Sequence, residues 1–254
     1  MRIVRFEFKD AIYIGELVGD TIFELSQFPW NGGTKTSEEF SLDSVKLLAP
    51  CEPKKIIATA INYPGATGLK EKQDEPLVFL KPSSSVIGPN DRIISPFKNL
   101  EIWGECELAV VIGKTIKNAS YQEAKDAIFG YSIGNDVSAN NILDWDHHLA
   151  RSKGMDTFCV IGPWIDTEFC PENQKITGFH NKTLMREGVV GKRLSQEPDL
   201  LVKLSKWMTL EAGDVILTGA PSRVIDRIYF SEGDSFTCKI EGLGEITNHF
   251  SISE

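Results

Sequence analysis

The chain has 254 residues, 41% of them hydrophobic and 25% charged, enough for a full core in the range of ordinary soluble globular proteins. Its net charge of −9 argues against nucleic acid, whose phosphates demand a basic face. Five scattered cysteines (Cys51, Cys106, Cys159, Cys170 and Cys238) include no C-x-x-C pair, so neither a zinc ribbon nor a redox dithiol is indicated. Buried reduced thiols in a reducing compartment are the expectation.

Along the chain, residues 2–8, 11–17 and 21–25 alternate in the β manner and predict a small antiparallel sheet. Residues 29–45 are polar, contain Gly32-Gly33, and read as a linker. The expected division is therefore a small N-terminal β domain with linker over 1–45 and a larger domain over 46–254. Short apolar strands dominate the latter, at 55–60, 77–80, 107–112, 214–218 and 235–240. Two helices are expected. Ser120 with Glu123 three residues on forms a capping box, and residues 198–207 carry apolar side chains at helical spacing after Pro198. The N-terminus has no basic-then-apolar secretory pattern, and no apolar run reaches membrane-spanning length. A cytoplasmic protein without a membrane partner is expected. Absence of a Gly-x-Gly-x-x-Gly or Walker loop speaks against nucleotide-binding folds.

The chemistry concentrates around Gly104-Glu105-Cys106-Glu107-Leu108. In a strand, side chains alternate faces, so Glu105 and Glu107 point the same way. Two partly buried carboxylates on one face repel unless a cation or extra protons settle the charge. The simpler alternative is an exposed strand end that happens to carry two glutamates. Asp136 ends a second apolar run, where an aspartate also serves as a turn or cap residue.

A set of ordered motifs resembles the fumarylacetoacetate hydrolase superfamily. They are Ile61-Asn62-Tyr63, Phe79-Leu80-Lys81-Pro82-Ser83, Glu105-Cys106-Glu107-Leu108, Gly134-Asn135-Asp136-Val137-Ser138-Ala139, Arg151-Ser152-Lys153-Gly154, Thr218-Gly219-Ala220-Pro221 and Gly242-Leu243-Gly244-Glu245. The resemblance spans about residues 50 to 250. It implies a mixed, β-rich α+β fold, a β-roll with a small N-terminal β-sheet domain, and a homodimer. It also implies Mg²⁺ or Mn²⁺ held by Glu105, Glu107 and Asp136, an all-oxygen set suited to a hard cation. Lys153 matches a lysine beside the metal that pairs with substrate charge. Lys81, Asn140, Thr218, Gly219 and Ala220 match substrate-side positions, Lys81 with the alternative of a purely structural role.

Three departures limit the transfer of function. The family's water-activating His and Glu correspond to Ala66 and Leu69, which move no proton. A frequent substrate-binding arginine is replaced by Asn140, losing a bidentate fork, and a pocket threonine by Ala220. Replacement proton carriers are His148, with its neighbour His147, and Glu71, with Asp74 and Glu75 nearby. The expected function is metal-stabilised enolate chemistry on a small 2-oxo or 1,3-dicarbonyl acid, by C–C cleavage, decarboxylation or isomerisation. The alternatives are an acylpyruvate-type hydrolase with a substitute base and a metal- and ligand-binding protein without catalysis.

Overall fold

The computed structural model describes residues 1–65, 74–141 and 146–253. Its centre is the strand Cys106–Ile112, all seven residues of which are buried. One neighbour is the strand Ile128–Asp136, and on the other side lies Val215–Leu217, both antiparallel to it. Val215–Leu217 continues in parallel to Lys55–Thr59, which pairs with Val78–Pro82. In the other direction the sheet runs from Ile128–Asp136 through Cys159–Asp166 to Arg2–Phe8. A second, five-stranded sheet contains Thr183–Val189, Lys175–His180, Ser235–Ile240, Gly244–Ile252 and Arg92–Ser95.

Both faces of the central strand are covered, which explains its nearly unbroken apolar sequence. Cys106 and Leu108 pack against Ile176, Phe236, Cys238 and Ile240 of the second sheet. Ala109 and Val111 lie with Ile56, Ala58, Val215 and Leu217. Val110 and Ile112 meet Leu200, Leu201 and Leu204 of the helix Glu197–Trp207. The other expected helix is Tyr121–Ala127, and Ser120 and Glu123 close its capping box reciprocally. Each fully buried Leu or Ile in these clusters contributes roughly 1.5–3 kcal/mol relative to exposure.

Two expectations change. Residues 29–45 are not a plain linker: Lys35–Ser41 is a strand paired with Thr21–Leu25. Its sequence reads as loop because it is a solvent-facing end of the sheet, where polar side chains are favoured. Only Phe40 turns inward, onto Phe6, Phe8 and Tyr13. Among the cysteines, four are buried, but Cys170 is exposed; all five are free thiols. The N-terminal strands also continue the main sheet, through Arg2 opposite Asp166 and Ile3 opposite Ile165. Among the described residues, no helix is long and apolar enough to cross a membrane.

Candidate metal centre and its cavity

Strand register builds the site. Glu107 lies opposite Gly134 and Cys106 opposite Asn135, and the Asp136 amide donates to the Glu105 carbonyl at 2.9 Å. Residues opposite each other in an antiparallel pair share a face, so Asp136 joins the face that carries Glu105 and Glu107. A Cβ at Gly134 would stand 2.5 Å from Leu217 Cδ2, so glycine there lets Leu217 pack across that face. One carboxylate oxygen from each of the three residues lies within 4.8 Å of the others. Glu107 and Asp136 are buried and Glu105 nearly so, which excludes the reading of an exposed strand end. All donors are hard oxygens, so the set fits Mg²⁺ or Mn²⁺ rather than a thiophilic ion.

Three cations balance the three carboxylates. The fully buried Lys81 donates through Nζ to Asp136 Oδ1 at 2.5 Å and to the Val137 carbonyl at 3.2 Å. Lys153, at the end of the short helix Ala150–Lys153, donates to Asp136 Oδ2 at 2.5 Å, to Ser138 Oγ at 2.5 Å and to Glu105 Oε2 at 3.3 Å. Arg186, from the strand Thr183–Val189, reaches Glu105 Oε1 at 2.6 Å, where the Trp103 indole also donates at 3.0 Å.

These contacts separate the two glutamates. Burial alone raises the Glu105 carboxyl, but Lys153, Arg186 and Trp103 outweigh it and hold the group down at about 2. Burial, reinforced by Asp136 and Glu105, pushes Glu107 well above the usual carboxylate range. The Asp136 and Glu105 charges, against the opposing effect of burial, keep Lys153 protonated far into the basic range. Because a proton on Glu107 competes with a cation, Mn²⁺ affinity is expected to strengthen with rising pH, by up to about tenfold per unit while Glu107 still titrates. Calorimetric titrations at pH 6, 7 and 8 test this, and a pH-independent dissociation constant would contradict it.

Of the remaining positions, Gly219, Thr218 and Ala220 adjoin this centre. The Gly219 amide donates to Glu107 Oε2 at 2.6 Å from a backbone with φ +90°, and a Cβ there would stand 2.9 Å from Asn62 Cβ. Gly219→Ala is therefore expected to cost about 1–3 kcal/mol in urea unfolding and to disturb the Glu107 contact. The Thr218 hydroxyl is committed to the Leu108 carbonyl at 2.9 Å, and its own carbonyl accepts from Asn62. Thr218 thus pins the turn. Ala220 lines a cavity of about 780 Å³ together with Glu105, Arg186, Arg223 and Arg227. Asn140 follows the strand Ser138–Ala139 and is half-buried, its amide bonded to the Glu101 carbonyl. His147 and His148 are exposed in the turn before the Lys153 helix. Asp74 and Glu75 are exposed, and Glu75 lines a separate cavity beside Thr59 and Asn62. Ala66, Leu69 and Glu71 lie outside the described residues.

Sequence reading missed Arg186, Trp103, Arg223 and Arg227. Arg186 interrupts Leu184-Met185-Arg186-Glu187, and a charge inside a strand is the only local signal it gives.

Residues 55–251 match the fumarylacetoacetate (FAA) hydrolase C-terminal family. The chain belongs to the fumarylacetoacetate hydrolase family. Residues 1–50 match a second family, the Rv2993c-like N-terminal region. Protein Rv2993c of Mycobacterium tuberculosis is 34% identical over 98% of this chain and 97% of its own length. The human mitochondrial oxaloacetate tautomerase FAHD2A is 34% identical over 80% of this chain and 69% of its own. Among solved structures, the 5-carboxymethyl-2-hydroxymuconate delta-isomerase of Mycobacterium smegmatis superposes with a TM-score of 0.91 at 33% identity, covering both chains fully. The maleylpyruvate hydrolase of Sphingobium sp. SYK-6, in complex with manganese(II) and pyruvate, superposes with a TM-score of 0.80 at 27% identity, again over both full chains. Family members with this fold thus include both isomerases and hydrolases.

Proposed function

We propose that this family member is a Mg²⁺- or Mn²⁺-dependent enzyme that enolises a small 2-oxo acid, with keto–enol isomerisation as its best-supported reaction. The observation that carries the reading is the buried Glu105, Glu107 and Asp136 cluster with the Lys153 ammonium set against it. A divalent cation held by Glu105, Glu107 and Asp136 would supply Lewis-acid polarisation to a 2-oxo carboxylate bound beside it. Manganese and pyruvate in the maleylpyruvate hydrolase, and oxaloacetate in the name of the tautomerase relative, support the same substrate class.

The chain's own residues supply the rest. Lys153 Nζ, set against Asp136 and Glu105, puts an ammonium where it stabilises negative charge growing on a carbonyl oxygen. Lys81 holds Asp136 in place from beneath, and Gly219 does the same for Glu107. Deprotonation at the carbon beside the carbonyl falls to His148 or Glu71. Hydrolysis additionally requires an activated water, and Ala66 and Leu69 take the sequence positions of the family's usual water-activating pair. Decarboxylation shares the enolate and is the neighbouring outcome.

The test is a panel of 2-oxo acids and acylpyruvates with EDTA-treated protein, with and without Mg²⁺, following enol absorbance, CO₂ release and acid production separately. Metal-dependent enol interconversion without acid production is expected, reduced by about 10²–10⁴-fold in whichever of His148→Ala or Glu71→Ala removes the base. Metal-dependent acylpyruvate hydrolysis as the dominant reaction would replace this reading with a hydrolase.

A further inference from the structure

Glu107 is held from behind by the peptide unit that joins Thr218 to Gly219, and that unit is held in turn by Asn62. Asn62 Nδ2 donates to the Thr218 carbonyl at 2.9 Å. The N–H of the same peptide, that of Gly219, donates to Glu107 Oε2 at 2.6 Å. A trans peptide is planar, with its C=O and N–H pointing in opposite directions. Fixing the oxygen on one side therefore fixes the direction of the N–H on the other. The close seat of Asn62 needs glycine at 219, where a Cβ would stand 2.9 Å from Asn62 Cβ.

The Asn62 amide has both donors in use. Its other Nδ2 hydrogen goes to the Ser195 carbonyl at 3.0 Å, and Oδ1 accepts from the Ser195 amide at 2.7 Å. These partners fix the amide's orientation, because a flipped side chain would set its oxygen against two carbonyl oxygens. The Asn62 carbonyl also accepts from the Leu194 amide at 2.7 Å. The segment that Asn62 grips is itself anchored: Arg193 Nε donates to the Val190 carbonyl at 2.7 Å, and its guanidinium pairs with Glu197 at 2.5 Å. Support thus runs from the start of the helix Glu197–Trp207 through Ser195 and Asn62 to the Thr218–Gly219 peptide and Glu107. Asn62 and Glu107 are each 2% exposed and Thr218 is fully buried, so no water replaces a bond lost along this line.

We propose that Asn62 is a positioning residue of the metal centre, which aims the Gly219 N–H at Glu107 and so sets the orientation in which the Glu107 carboxylate meets a divalent cation. The assignment rests on the reading of Glu105, Glu107 and Asp136 as a Mg²⁺ or Mn²⁺ site, and adds to it a residue that acts through a backbone peptide. A carboxylate pinned through one oxygen has lost rotational freedom before the cation arrives, so less ordering opposes binding. Asn248 provides an internal contrast. It is 1% exposed, and its Nδ2 likewise donates to two backbone carbonyls, those of Gly88 and Asp91, at 2.9 Å each. Those carbonyls lead to Pro89 and Arg92, not to a residue of the acidic cluster.

The test is Mn²⁺ binding, followed by the electron paramagnetic resonance signal of the free ion at a temperature where circular dichroism shows each variant folded. Asn62→Ala is expected to weaken Mn²⁺ binding about tenfold, as loss of a residue that orients a ligand does. Asn248→Ala removes a comparable buried clamp and is expected to shift the Mn²⁺ dissociation constant by less than about twofold. Unchanged affinity in folded Asn62→Ala, or equal weakening in Asn248→Ala, would overturn the positioning role alone. Where Asn62→Ala does not fold, NMR of the unsubstituted protein decides. Titration with Mg²⁺ is expected to shift the Gly219 amide and the Asn62 side-chain NH₂ signals together, leaving those of the Asn248 side chain in place. Asn62 signals that stay still while Gly219 moves would overturn the positioning role. Absence of Mn²⁺ binding by the unsubstituted protein would overturn the metal reading, and the positioning role with it.

Discussion

Glu107→Gln is expected to raise the melting temperature of the metal-free protein while abolishing its stabilisation by Mg²⁺ and lowering turnover by about 10³-fold or more. The opposite signs follow from the position of Glu107. It is buried between Asp136 and Glu105, and its carboxyl binds a proton more tightly folded than unfolded. Metal-free stability therefore falls as pH rises above the unfolded glutamate value, about 4.3, through the raised folded one. Glutamine keeps an acceptor for the Gly219 amide and carries no charge, so the penalty disappears. The same change removes an anionic metal ligand. The unsubstituted protein gains about 2.7 kcal/mol at a metal concentration one hundred times its dissociation constant, and the variant loses that gain. Thermal melts with EDTA and with Mg²⁺ read both signs in one experiment. A variant that melts lower than the parent in EDTA would show Glu107 to be a structural pairing residue instead.

Lys81→Met is expected to destabilise the protein by about 3 kcal/mol, near the lower end for breaking a buried ion pair. Lys81 is completely buried and shares Asp136 with Lys153. Its removal leaves the Asp136 carboxylate with one cation instead of two and the Val137 carbonyl without its lysine donor. Lys153 remains, which is why the loss stays at the lower end. In a chain of this size, about 3 kcal/mol corresponds to roughly 6–12 °C in melting temperature. Adding Asp136→Leu removes the carboxylate whose pairing with Lys81 is already broken, so the double variant is expected to be more stable than additivity predicts. Urea unfolding of the two single variants and the double variant measures this. A loss below about 1 kcal/mol in Lys81→Met would contradict the account of Lys81 as the support of Asp136.

How much of this was legible in the sequence depended on distance along the chain. The period of two placed Glu105 and Glu107 on one face, and Ser120 with Glu123 announced their helix, because both signals are local. Asp136 joined the glutamates only through a strand register that sequence periodicity does not encode, and the motif resemblance stood in for it. Arg186 was invisible because its partner Glu105 is 81 positions away. Arg223 and Arg227 sit in an irregular segment after Pro221, where no pattern predicts which side chains converge. Lys35–Ser41 was read as linker because an exposed edge strand and a loop have the same polar composition. Thr218 looked like a ligand contact, but its hydroxyl is spent on the strand beneath it.

The central claim is that the Glu105, Glu107 and Asp136 centre, loaded with a divalent cation, enolises a 2-oxo acid. Proton NMR in D₂O tests it most directly, by following hydrogen–deuterium exchange at the carbon beside the carbonyl of oxo acids added to the EDTA-treated protein. The account predicts exchange well above the protein-free rate once Mg²⁺ or Mn²⁺ is restored, abolished by EDTA and absent in Glu107→Gln. Exchange that survives EDTA, or none with any oxo acid at saturating metal, would contradict it.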